Sequence, residues 1–424
     1  MIRISHLIHT HTIRQTAVTL VATVISGVFA VTFYLLLARN IGSSEYGLFT
    51  LATTTIVILS TILELGTDRG MIKFISHYRN DRTARLQVSN LALKIKVTVG
   101  FVITFFCIFS AHWLSVVLFH QPEMTPLIPL IGIGLLCQQL FNFALYYMQA
   151  YEKFFWWGSV LAGTNIARFI FLIFFWRIGW LNAYISTALW AVIPLFGFIL
   201  GLFKVEREVF TVSGSLSRLS DIFHFNKWVT AFTVASSVSS RLDTYLTSGL
   251  ASLSAVGVYG LGIQAVSYLP QVMNAIGAVT APKFASFSDH SHNRRYVLKA
   301  TLLSGGIALL AAGVMIPGGY VLFLISGRQY TSGLVPYLIV LVSMLVFMLG
   351  APVRDSLLYF YNRPKFFFWA SLGSGVVTIV SGLLLIPPLG IIGSALSNLA
   401  GQLLLTLSAV VVYRRLAAVK LSDK

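Results

Sequence analysis

Apolar residues recur along this chain in runs of about 20, divided by short polar breaks, from near residue 16 to near residue 413. A run of that length crosses the hydrocarbon core of a bilayer as an α-helix, because 1.5 Å of rise per residue then covers about 30 Å. The pattern predicts spans near 16–38, 46–66, 97–118, 127–150, 157–176, 181–203, 228–250, 255–279, 300–325, 334–360, 367–386 and 389–413. The expected fold is all-α: a polytopic membrane protein with about 12 transmembrane helices.

Composition agrees. Hydrophobic residues make up 57% of the 424 and charged residues only 10%, against roughly 25% charged in a soluble chain. The formal charge of +17 would suggest nucleic acid in a soluble protein, but here its location gives another account. With the N-terminus inside, the segments 1–15, 67–96, 151–156, 204–227, 280–299, 361–366 and 414–424 hold 24 of the 30 Lys and Arg. The outer loops hold only Arg39, Arg177 and Arg328. That asymmetry predicts both termini to be cytoplasmic and needs no nucleic-acid partner. The two cysteines, Cys107 and Cys137, fall within predicted spans and offer neither a disulfide framework nor a metal site.

The chain repeats itself. IGSSEYGLFTLATT at 41–54 and GMIKFISHYRNDR at 70–82 match ASLSAVGVYGLGIQ at 251–264 and TAPKFASFSDHSH at 280–292 at a constant offset of 210. Gly47 aligns with Gly257, Phe49 with Tyr259, Lys73 with Lys283 and Phe74 with Phe284. The offset covers six helices, an even number, so both copies enter the membrane with the same polarity, an arrangement of transporters. The expected organisation is an N-terminal six-helix lobe at 1–203, a cytoplasmic linker at 204–227 containing Gly214, and a C-terminal six-helix lobe at 228–424. A substrate site would lie in a central cavity between the lobes.

Six charges remain inside the predicted spans: Arg168, Arg241, Arg354, Glu64, Asp243 and Asp355. A charge at the centre of a span costs at least about 2.5–3.5 kcal/mol. Arg241 and Asp243 stand two apart, about 200° round a regular helix, so they do not simply pair with each other. Either each meets a polar neighbour, or Arg241 supplies positive charge to an anionic substrate in a water-filled cavity. The same choice applies to Arg168. Arg354 and Asp355 follow Pro352, where a kink exposes carbonyls, and read as gating or structural pairing or as substrate contacts. Glu64 binds a proton or sodium ion, or offsets the basic loop after it. Arg39 and Glu45 flank an outer loop and form either a pair at the outer mouth or an ordinary surface pair. In the repeat, Val31, Phe33 and Thr378 stand where Arg241, Asp243 and Arg168 would have counterparts, so these charges are additions to one half.

No phosphate loop of the form G-x-x-x-x-G-K-[ST], no H-E-x-x-H and no nucleophile elbow occurs. The predicted outer loops are too short for a catalytic face. An enzyme is not expected, nor a bound cofactor, although coupling to a proton or sodium gradient stays open, with Glu64 and Asp243 as the acids.

LARNIGSSEYGLFTLATTTIVILSTILELGTDRGMIKFIS at 37–76 resembles the bacterial polysaccharide or O-unit flippases of the multidrug, oligosaccharidyl-lipid and polysaccharide exporter superfamily. The resemblance rests on a Gly-containing outer loop, the step Tyr46-Gly47-Leu48-Phe49, and Leu65-Gly66 ending the second helix. In the second half it rests on Arg241-Leu242-Asp243 followed by Gly257-Val258-Tyr259. It implies a flippase that moves an undecaprenyl-pyrophosphate-linked oligosaccharide across the bacterial cytoplasmic (inner) membrane for surface polysaccharide such as O-antigen and lipopolysaccharide. Alternating access of two lobes would carry the step, with polysaccharide assembly proteins as neighbours. Arg241 and Arg168, then Arg354, would be the cavity cations. The peptidoglycan-precursor branch typically has charges in its first span, where this chain has Thr32 and Tyr34, so the resemblance favours a surface-polysaccharide unit. The competing readings are a multidrug or cation extruder of the same superfamily and a membrane-embedded glycan polymerase. The first would want acids to dominate the cavity, and the second a large outer loop.

Overall fold

The computed structural model describes residues 11–64, 66–212, 217–270, 272–273, 277, 280, 283–284, 287 and 289–419. Gly214 of the expected linker and most of the repeat segment at 280–292 up to residue 288 lie outside the described residues, as do both chain ends. The described residues form helices: α1 (His11–Ile41), α2 (Ser43–Leu63), α3 (Thr67–His77), α4 (Arg82–Phe109), α5 (Leu127–Ala150), α6 (Phe154–Arg177), α7 (Ala183–Leu202), α8 (Ser217–Ser239), α9 (Leu242–Leu250), α10 (Leu253–Val266), α11 (His290–Ser326), α12 (Leu334–Asp355), α13 (Pro364–Leu389) and α14 (Ile391–Val419). Ten helical stretches among them are long and apolar enough to cross a membrane. The fold is an all-α, multi-pass membrane protein, as the runs predicted.

The two expected spans outside those ten are shorter pieces. The run 228–250 is divided between α8 and α9 by a break at Ser240 and Arg241, and the run 255–279 begins with the 14-residue α10. A second difference lies at the third span, expected from residue 97. α4 starts at Arg82, where Asp81 caps it by accepting a hydrogen bond from Ala84 N at 2.9 Å. Residues 82–96, expected as loop, are therefore four turns of helix. Ahead of them the short α3 is amphipathic: it buries Thr67, Asp68, Gly70, Met71 and Ile75 and exposes Arg69, Ser76 and His77. Gly66, between α2 and α3, has φ 73°, a left-handed turn that glycine adopts without strain.

The chain packs as two compact units. One takes the chain up to Ile41 together with Ala52–Thr230; the other takes Gly42–Leu51 and the chain from Ala231 onward. In the first, α5 is the central helix, packed on α4 and α7, with 67% of its apolar stretch buried, whereas α6 has 28% buried and turns Phe155, Ile170 and Phe174 outward. At one end, Met71, Ile75, Leu86, Phe143, Tyr147 and Val209 form its core. In the second, α12 and α14 pack together and α11 is peripheral, with 17% buried and Leu309, Leu310 and Leu324 exposed. Exposed leucine on this scale is a lipid-facing surface, since water would not tolerate so large an apolar face. The core here gathers Phe284, Val297, Val353, Leu357 and Phe367. The repeat-related residues Phe74 and Phe284 each pack against a tyrosine, Tyr78 at 6.4 Å and Tyr296 at 5.0 Å.

The repeat also appears as a contact within the second unit. A methyl on Gly47 would lie 2.0 Å from Leu253 O, and one on Gly257 would lie 1.9 Å from Ser43 O. Leu253 and Ser43 are themselves related by the offset of 210, so the contact is reciprocal. Only glycine lets the first turns of α2 and α10 approach this closely. Ser43 Oγ and Ser254 Oγ, 2.6 Å apart, hydrogen-bond beside the crossing.

Candidate functional site

The break at Arg241 has a local cause. The stretch SSVSSRLDT is rich in serines, whose hydroxyls compete for backbone groups. Ser240 Oγ donates to Ser237 O at 2.9 Å, and Ser239 Oγ donates to Ser371 O on α13 at 2.8 Å. Arg241 then leaves helical geometry, with φ −128° and ψ 1°, and stands at the N-terminal end of α9.

Asp243 is buried in the first turn of α9 with its oxygens occupied by neutral donors. Tyr259 OH donates to Oδ2 at 2.5 Å and Asn398 Nδ2 at 2.8 Å; Thr244 N donates to Oδ1 at 2.7 Å and Thr244 Oγ1 at 3.3 Å. Asn398 in turn accepts from Ser343 Oγ at 2.7 Å. The carboxylate thereby ties together α9, α10, α12 and α14, and its place in the first turn also suits the helix dipole. It forms no ion pair with Arg241. The Arg241 guanidinium, half-buried, makes no hydrogen bond and no ion pair with any of the described residues.

The other two arginines differ. Arg168 on α6 donates to Trp190 O at 3.1 Å and to Asn165 Oδ1 at 3.3 Å, and its guanidinium lies 4.8 Å from the Trp190 ring centroid. Pro194, four residues after Trp190, has no N–H to give that carbonyl, so Arg168 replaces a missing helix hydrogen bond. Arg354 donates to Phe347 O at 2.8 Å and stacks on the Phe347 ring at 3.9 Å, in the turn kinked by Pro352. Asp355 accepts from Thr280 Oγ1 at 3.2 Å rather than from Arg354. Arg39 lies in the last turn of α1 and Glu45 in the first turn of α2, each favourable to its helix dipole.

The sequence reading missed a buried charge pair in the first unit. Lys96 on α4 and Asp68 on α3 have no solvent exposure and meet at 2.8 Å. Lys96 Nζ also donates to Gln139 Oε1 on α5 at 2.8 Å, and Gln139 Nε2 donates to Ser60 O on α2 at 2.9 Å. Glu64, just beyond the last residue of α2, is pushed up to about 7, by burial first and by Asp68 next, with Lys96 and Arg69 pulling the other way. The available signal was Asp81: a helix capped there carries Lys96 well inside.

Helical membrane proteins with charges built into the bundle are known among solved structures, and several share the fold of this chain. They include a multidrug-resistance MATE-family transporter of the MOP superfamily in its inward-facing conformation (TM-score 0.76, 12% identity, covering 95% of this chain and 98% of that one). The lipid II flippase MurJ gives a TM-score of 0.63 at 13% identity, covering 92% and 87%. A MOP-superfamily transporter from Pyrococcus furiosus, described as having a binding pocket of reverse polarity, gives 0.63 at 12%, covering 95% and 94%. No curated protein matches the chain in sequence. The family model for polysaccharide biosynthesis proteins matches residues 12–288, and the chain belongs to that family.

Proposed function

We propose that the protein is a flippase that carries an oligosaccharide repeat unit, linked to undecaprenyl pyrophosphate, across the bacterial cytoplasmic membrane for the assembly of surface polysaccharide. The observation that carries this reading is Arg241: a half-buried guanidinium at a helix break, without a protein partner among the described residues. A pyrophosphate cannot enter hydrocarbon bare, and a guanidinium fork matches its oxygens in geometry and charge. The N-terminus of α9 adds its own positive potential at the same point. Arg168 and Arg354 are secondary cations in this reading, since each already has protein acceptors. Both termini lie on the cytoplasmic side, with transport by alternating access and Glu64 as the acid best placed to respond to a proton gradient.

The test is flipping of a labelled polyprenyl-pyrophosphate glycan in proteoliposomes by wild type, Arg241→Ala and Arg241→Lys, with insertion verified for each. Loss of flipping in Arg241→Ala, partly restored by lysine, is the expected result. Undiminished flipping by Arg241→Ala would remove Arg241 from the substrate path.

A further inference from the structure

The first unit carries a second set of arginines, away from the membrane-buried charges. The C-terminal end of α3, the start of α4 and the end of α5 border an open polar pocket of about 160 Å³, lined by Ile75, Ser76, Arg79, Arg85, Tyr151 and Glu152. Arg82, Lys153 and Lys204 in this unit are already held. Arg82 pairs with Glu206 at 3.0 Å and Glu208 at 2.5 Å, Lys153 donates to Lys204 O at 2.8 Å, and Lys204 lies 4.0 Å over the Trp156 ring. Arg79 and Arg85 make no hydrogen bond and no ion pair with the described residues.

Arg85 is braced. Its guanidinium lies 5.4 Å from the centroid of the Tyr151 ring, which itself stacks on Tyr147 at 4.4 Å, while its Nε is buried and meets no acceptor. A buried N–H with no acceptor is costly unless something fills the place. Arg79 and Ser76 are exposed residues of the pocket lining, and Glu152, also exposed, leaves the pocket with a small positive excess. Two guanidiniums and a hydroxyl converging on a space of this size suit a tetrahedral oxyanion, which accepts several donors at once.

We infer that Ser76, Arg79 and Arg85 form a binding site for a phosphate group, either the headgroup of an anionic phospholipid or free phosphate. The site is distinct from Arg241 and its occupancy does not depend on the flippase reading, because flipping is not the readout. A membrane-proximal ligand is supported by α3, which is amphipathic and carries Ser76 on its exposed face.

Two arms separate the sources. Native mass spectrometry from nanodiscs compares retention of phosphatidylglycerol with phosphatidylcholine, and titration of detergent-purified protein with inorganic phosphate follows thermal stability. Wild type is expected to hold phosphatidylglycerol selectively, or to be stabilised by phosphate, with each of R79Q and R85Q weakening that response about tenfold and R85K largely preserving it. Selective lipid retention without a phosphate response identifies the headgroup; the converse identifies free phosphate. Arg79 is exposed, so R79Q decides the matter even if R85Q fails to fold. Absence of both responses in wild type, or responses undiminished in R79Q, overturns the site.

Discussion

Asp68 and Asp243 are buried acids, one in each unit, and they are kept by opposite means. Asp68 is neutralised by a cation, Lys96, held in turn by Gln139. Asp243 is held by neutral donors from Tyr259, Asn398 and Thr244, although an arginine stands two residues away. The first solution consumes its positive charge. The second leaves Arg241 over, and the substrate-binding role proposed for Arg241 rests on this difference. Buried ion pairs add little net stability but are expensive to break; an acid saturated by hydrogen bonds is held without an ion pair to the nearby guanidinium.

Removing one member of the ion pair tests the comparison most severely. Lys96→Met leaves Asp68 buried and uncompensated, and a loss of about 3–5 kcal/mol in unfolding free energy is expected. Adding Asp68→Asn should return most of it, and a double-mutant cycle in detergent measures the coupling; additive losses would mean the pair is not one unit. Gly257→Ala follows. A methyl 1.9 Å from Ser43 O forces the α2 and α10 starts apart, at a cost of about 1–3 kcal/mol in thermal unfolding. For Asp243→Asn the donors from Tyr259 and Asn398 lose part of their acceptor, and about 1–3 kcal/mol is expected. Arg241→Gln, in contrast, should leave stability within about 0.5 kcal/mol of wild type, because no protein partner is lost. A large drop there would erase the distinction between the two units.

A pH dependence is expected as well. Burial raises the Glu64 carboxyl from 4.5 to about 7, so the folded protein keeps a proton that the unfolded chain releases over that interval. The stability from this group is full below about pH 4.5 and is lost as pH rises through about 7. Glu64→Gln keeps a neutral side chain at every pH. Its melting temperature should match wild type in acid and exceed it above pH 7; equal curves throughout would show Glu64 to be solvated.

Much of this was legible in the sequence because it is periodic or repeated. Twenty-residue apolar runs gave the helices, and the offset of 210 singled out Gly47 and Gly257, which meet. The turn at Gly66 likewise stood at the end of its run. What escaped was local competition inside a run. Hydropathy averages over Ser239, Ser240 and Arg241 and reports one span, whereas the serine hydroxyls divide it. Lys96 was assigned to a loop because charge is a poor marker of where a helix begins; the cap at Asp81 is a better one. The acceptors of Arg168 and Arg354, and the donors to Asp243, come from other helices, and no single-helix pattern encodes a choice of tertiary partner.

The reciprocal glycine crossing bears on the origin of the chain. Gly47 meets Leu253 O as Gly257 meets Ser43 O, which is the contact two identical subunits make about a twofold axis, where one patch faces its own copy. In a symmetric pair of identical chains, a single glycine codon would satisfy both sides. Once the copies are fused, the same fit occupies two codons that mutate independently, so loss of either glycine breaks a contact that the other cannot restore.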